Sequence, residues 1–180
     1  ASYSNFIGNG AGVSATNADN SNFLGTAAGF NATDASNSNF LGQNAGADSQ
    51  QSSAIAIGTN AGATGQLASS IAIGNGAGQT KQGEYAVSIG NQSGQNTQGE
   101  FGVAIGYSAG RTSQGAGSVA VGQGCGSITQ SSYSVALGFA AGYDSQQSNS
   151  IAIGNSAGFS LQGGYSIAIG TNAAVKDQGS

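Results

Sequence analysis

The chain has 180 residues, of which 33 are Gly, 30 Ala and 27 Ser, so three small residue types make up half of it. Charged residues are 6%, against roughly 25% in soluble domains, and there is no His, one Cys and a net charge of −4. This leaves little material for acid/base, nucleophilic or metal-assisted catalysis, and three basic residues are too few to neutralise the phosphates of a nucleic-acid partner. A lone Cys allows no intrachain disulfide framework. No apolar run is long enough to span a membrane and no charged-then-apolar leader is visible, so direct membrane insertion is not expected.

The small residues are phased. A motif ending in Gly recurs eleven times, at Gly8, Gly25, Gly42, Gly58, Gly74, Gly90, Gly106, Gly122, Gly138, Gly154 and Gly170, with two steps of 17 residues followed by eight of 16. A second Gly stands four positions after each, from Gly12 to Gly158, until Ala174 ends the series. A fixed period of this length is the mark of a stacked repeat, so each copy is one coil, numbered 1 to 11.

Coils 1 to 3 read SNFIG, SNFLG and SNFLG, placing Phe6, Phe23 and Phe40 two before the motif Gly and Asn5, Asn22 and Asn39 three before it. Coils 4 to 11 instead carry Ile or Val three before, a small residue two before, and Ile, Leu or Val one before. Large, small, large is period two and predicts a strand. A unit this short cannot bury its own apolar face, whereas stacked copies share a continuous core. The predicted fold is all-β: a parallel β-solenoid, or β-roll, of about eleven 16–17-residue coils. It forms a single domain over 1–180, with variant SNF coils in 1–46 and regular SIAIG coils in 47–180. At about 4.8 Å per coil the rod is about 50 Å long.

The residues before the motif Gly are expected to form the core ladder: Ile57, Ile73, Ile89, Ile105, Val121, Leu137, Ile153 and Ile169. A small column three after it, from Ala11 through Ala61 and Cys125 to Ala173, is expected to line the same interior. Alternation then sends Phe6, Phe23, Phe40, Ala56, Ala72, Ala104, Ala120, Ala136 and Ala152 to the opposite face, which becomes the candidate interface for another chain. The alternative is a local shift of the strand in the longer coils.

Eight after the motif Gly, Gln recurs from Gln50 through Gln66, Gln82, Gln98, Gln114, Gln130, Gln146 and Gln162 to Gln178. An amide both donates and accepts, so this column is expected to be a hydrogen-bonded structural ladder; a binding stripe is the alternative. Cys125 sits in the small column and reads as a buried filler. The GNGAG and GQGCG stretches belong to the turn columns, and no phosphate-loop Lys-Ser/Thr follows them. Asp48 and Asp144 lie six coils apart without a calcium-loop pattern. No catalytic, cofactor-binding or metal residues are therefore nominated.

SIAIGNSAG (Ser150 to Gly158), SIAIGTNA (Ser166 to Ala173), SVAVGQG and YSVALGFAAG closely resemble the YadA-like head repeats of trimeric autotransporter adhesins. They are also similar to repeats of phage and large-virus fibre proteins, and the resemblance covers essentially the whole chain. It implies a left-handed roll, three chains about a common axis, extracellular display on a cell or virion surface, and a role in attachment. The expectation is a non-enzymatic structural or adhesive surface-fibre module without cofactor. Its expected partners are two further copies of itself and a host receptor, matrix or glycan. The rival readings are a self-assembling filament subunit whose end coils pair, and an ice- or polysaccharide-binding solenoid. Against a flat Thr plane, the column of Thr64, Thr80 and Thr112 is interrupted by Asn96.

Overall fold

The computed structural model describes residues 2–177 and 179, and Gln178 lies outside them. Among the described residues every regular element is a three-residue strand. The triplet before each motif Gly forms one, because β-branched residues on alternating positions favour the extended backbone. Eleven of these stack into one parallel sheet: Asn5–Ile7, Asn22–Leu24, Asn39–Leu41, Ile55–Ile57, Ile71–Ile73, Val87–Ile89, Val103–Ile105, Val119–Val121, Val135–Leu137, Ile151–Ile153 and Ile167–Ile169. A second, four-stranded sheet is formed by Thr64–Gln66, Thr80–Gln82, Asn96–Gln98 and Thr112–Gln114. The all-β parallel solenoid is therefore the fold.

Register follows the repeat. Ile57 stands opposite Ile73, Ile73 opposite Ile89, and Ile89 opposite Ile105. The SNF coils join without a slip, with Asn39 opposite Ile55 and Phe40 opposite Ala56, so the alternative of a shifted strand does not hold. Backbone hydrogen bonds run along the rod, for example from Gly90 N to Ile73 O at 2.8 Å and from Gly94 N to Ala109 O at 2.9 Å.

The motif glycines are dictated by this stacking. Gly90 has φ +127°, and a Cβ built on it would stand 2.5 Å from the carbonyl oxygen of Gly106 in the next coil. The second Gly of each coil is dictated by the interior: a Cβ on Gly110 would meet Gln114 Oε1 at 2.7 Å, and one on Gly29 would meet the Phe23 ring at 2.5 Å.

The strand triplets are turned the other way from the sequence expectation. Ala56, Ala72, Ala104, Ala120, Ala136 and Ala152, with Phe23 and Phe40, are wholly buried inside a single chain. The expected core ladder of Ile57, Ile73, Ile89, Ile105, Val121, Leu137, Ile153 and Ile169 lies on the outer face, with Ile57, Ile89 and Ile105 each 37% exposed. The reason is volume. The small column three after the motif Gly is buried too, as Ala61, Ala77, Ala109, Cys125 and Ala141. With both walls lined by small residues, the space between them is taken by a Phe ring or a Gln amide, and in the coil of Phe40 and Gln50 by both.

Gly90→Ala is expected to destabilise the rod by about 2–4 kcal/mol, since it adds a backbone clash to a strained φ. Gly76→Asn should change stability by less than about 1 kcal/mol: Gly76 has φ +63° with nothing nearer than 3.5 Å, and Asn44 and Asn60 already adopt φ +55° at the equivalent position. Thermal unfolding followed by far-UV circular dichroism checks both.

Candidate functional site

Two kinds of side chain fill the interior. In the first three coils the rings of Phe6, Phe23 and Phe40 stack face to face, with centroids 4.6 Å and 4.7 Å apart. In the regular coils the filler is Gln. Gln66, Gln82, Gln114, Gln130, Gln146 and Gln162 are fully buried and Gln98 is 2% exposed. Each amide nitrogen donates to the carbonyl oxygen of the strand residue in its own coil, as from Gln66 Nε2 to Ile55 O at 2.8 Å and from Gln114 Nε2 to Val103 O at 2.8 Å. A second bond reaches the carbonyl four residues on, from Gln66 Nε2 to Ser70 O at 3.1 Å.

The Gln side chains also bond to one another along the rod. Gln82 donates to Gln98, Gln98 to Gln114, Gln114 to Gln130 and Gln130 to Gln146, at 3.0–3.3 Å. The expected ladder is thus present over five coils. Its principal work, however, is to satisfy strand carbonyls from inside, which the sequence column did not indicate. Gln50 marks the change of filler: sharing its coil with Phe40, it turns to donate to Asp48 O and Gly62 O, both at 2.7 Å. A second, shorter amide ladder escaped the sequence reading. Asn5, Asn22 and Asn39 hydrogen-bond in series at 2.8 and 2.9 Å, in the column that later becomes Ile and Val.

Cys125 is buried, its thiol donating to Gly122 O at 3.0 Å. Burial pushes its pKa up to about 12, only partly offset by a hydrogen bond from its own backbone N–H to the sulfur. No group of three or more His, Cys, Asp or Glu side chains gathers as a metal cage among the described residues.

Apart from Phe6, which is 37% exposed in the first coil, the residues nominated as an interface therefore form the packed interior, and the surface available to another molecule is the outer face of the eleven-stranded sheet. It carries two parallel apolar columns, Ile55 to Ile167 and Leu41 to Ile169, unbroken by any charge. The turns add aromatic pairs: the exposed Tyr85 and Phe101 stack at 5.2 Å, and the half-buried Tyr143 and Phe159 at 5.1 Å. Aromatics spaced by one repeat, 16 residues apart, were the sequence signal for these pairs.

These features define a β-solenoid repeat protein with a buried amide ladder and an apolar outer sheet. Compared with known protein families, curated proteins and solved structures, the chain matches none.

Gln114→Glu replaces a buried double donor with a carboxylate facing Val103 O and Ser118 O. Ionisation is disfavoured there, so the folded-state pKa of the new carboxyl lies above its unfolded value of about 4.3. The variant is expected to be least impaired below that unfolded value and to lose stability as pH rises through the folded one, reaching about 3–5 kcal/mol at neutral pH. Urea unfolding between pH 4 and 8 checks the direction. The Cys125 thiol should react with a disulfide reagent at pH 8 only as the rod unfolds, which the reagent's absorbance follows.

Proposed function

We propose that the chain is a structural and adhesive surface-fibre module, non-catalytic and extracellular, that associates with two further copies of itself through the outer face of the eleven-stranded sheet. The observation that carries this reading is the continuous, register-matched apolar ladder on that face. Ile57, Ile89 and Ile105 stay 37% exposed in the single chain, and contiguous apolar surface of this kind marks an interaction site.

The pitch of the ladder favours another copy as partner. A row of apolar ridges repeating once per coil interlocks best with ridges of the same spacing, and a second copy supplies them. Closed cyclic association with the rods parallel keeps every rung level with its counterpart. Three chains suit the geometry because the stripe is only two columns wide, about 7 Å across. A narrow stripe on each chain is what a wedge around a three-fold axis presents. Attachment to a receptor, matrix or glycan then belongs to the surfaces left outside.

The expected solution mass is that of three chains. Ile89→Lys with Ile105→Lys, two changes on the outer face, should shift sedimentation to the mass of one chain with far-UV dichroism preserved. A wild type that sediments as a single chain at tens of micromolar, or a double variant that keeps the wild-type mass, would defeat the assembly reading.

A further inference from the structure

We infer that the turn surface of coils 7 to 9 is a glycan-binding groove, selective for a sugar ring that carries a carboxylate and centred on Arg111 between Tyr107, Phe139 and Tyr143. This rests on the surface-module reading and gives its attachment function a place and a ligand class. The groove has a volume of about 260 Å³. That is below the roughly 300–1,000 Å³ of pockets for whole drug-sized ligands, so it holds one ring and leaves the rest of a chain outside.

The fold does not ask for these residues. Tyr107 and Phe139 occupy the position one after the motif Gly, where other coils carry Thr59, Asn75, Asn91 and Asn155. Arg111 occupies the position five after it, where Ala47, Ala63, Gln79 and Gln95 serve equally well in the stack, while Tyr143 shares that column with Phe30 and Phe159 and stacks on Phe159. Two large rings are nonetheless left out in solvent, Tyr107 at 56% and Phe139 at 52% exposure. In the column one after the motif Gly only coils 7 and 9 carry a ring, and that departure from the repeat points to a requirement other than stacking.

The spacing fits a flat guest. Rings one coil apart on this rod lie in contact, as Phe6 and Phe23 show at 4.6 Å. Tyr107 and Phe139 are two coils apart, about 9.6 Å, and the coil between them contributes Gln123 in place of a ring. Two stacking distances separate the aromatics, so a pyranose ring whose C–H faces lie against both takes the place of the exposed Gln123 side chain, which swings aside. Gly124 and Ser127 line the groove in that middle coil and keep it open, while Gln123 and Ser127 offer hydrogen bonds to hydroxyls.

The charge selects the sugar. Arg111 is the one cation of the groove, and its Nε is buried without a hydrogen-bond partner among the described residues. A guanidinium whose Nε has no partner among the described residues is suited to a carboxylate brought by a ligand. The net charge of −4 repels polyanions, so a glycan with isolated carboxylates fits better than a densely sulfated one.

The test is saturation-transfer NMR with calorimetric titration on the full chain, using 3′-sialyllactose, a glucuronic-acid disaccharide, lactose and an acetylated dipeptide with a free carboxylate. At least one acidic sugar is expected to bind with Kd of about 1 mM or below, and lactose about tenfold more weakly. Arg111→Gln should erase that difference, and Tyr107→Ala with Phe139→Ala should abolish sugar binding, both with unchanged dichroism. Which acidic probe binds separates sialic-acid from uronic-acid ligands. Absence of saturable binding by both acidic sugars, undiminished binding by Arg111→Gln, or equal binding of the dipeptide would overturn the groove. Because the groove lies within one chain, its failure is read separately from assembly: sedimentation of the same samples reports on the fibre-module reading, and sugar binding remains measurable on a monomer.

Discussion

The structure depends on the approach of one coil to the next at the motif glycines. At Gly90 the carbonyl of Gly106 fills the place a Cβ would need, and the same holds at Gly58, Gly74 and Gly122. Parallel strands pair along the whole rod because every coil returns in register, with 17 residues in the first two steps and 16 in the rest. Near-absence of charge follows from it, since a charged column would set like charges one strand spacing apart. Stiffness comes from the rows of backbone hydrogen bonds.

Close approach also makes the coil thin, and thinness decides what lies inside. Two walls of Ala, Ser and Cys leave a single lane, which Phe fills in the early coils and Gln in the later ones. The exchange is a physical one. A ring fills the lane by dispersion and stacking, while the amide fills it and also donates to carbonyls of its own coil. Gln50, in the same coil as Phe40, shows that both can fit once the amide is turned aside to other carbonyls.

Most of the architecture was legible in the sequence: the coil length, the strand triplets, their vertical register, the buried small column with Cys125, and the stacking of Gln. The direction of the triplets was not. Ranking residues by hydrophobicity puts Ile inside and Ala outside, which is sound where a core is thick enough to hold both. The informative signal lay in an exchange between columns. Coils 1 and 2 carry Phe6 and Phe23 with Thr16 and Thr33 eight after the Gly, whereas coils 4 to 10 carry a small residue with Gln. Phe and Gln that trade places across a repeat compete for one volume, so the Phe column must face the Gln column. The groove at Arg111 was illegible for the opposite reason: it is a departure from the repeat, and period-based reading discards departures.

An inverted coil alters the meaning of the apolar ladder. Side chains that appeared to hold one chain together are those on which several chains can meet, and the interior needs no partner to be complete. The account stands on equivalent positions of successive coils lying one strand spacing apart. Spin labels on Asn75→Cys and Asn91→Cys, with Cys125→Ala and dilution into unlabelled chains, test this directly by electron paramagnetic resonance. Both positions are exposed and one repeat apart. Strong exchange coupling at a backbone separation of about 4.8 Å is the expected result, and two non-interacting spectra would contradict it.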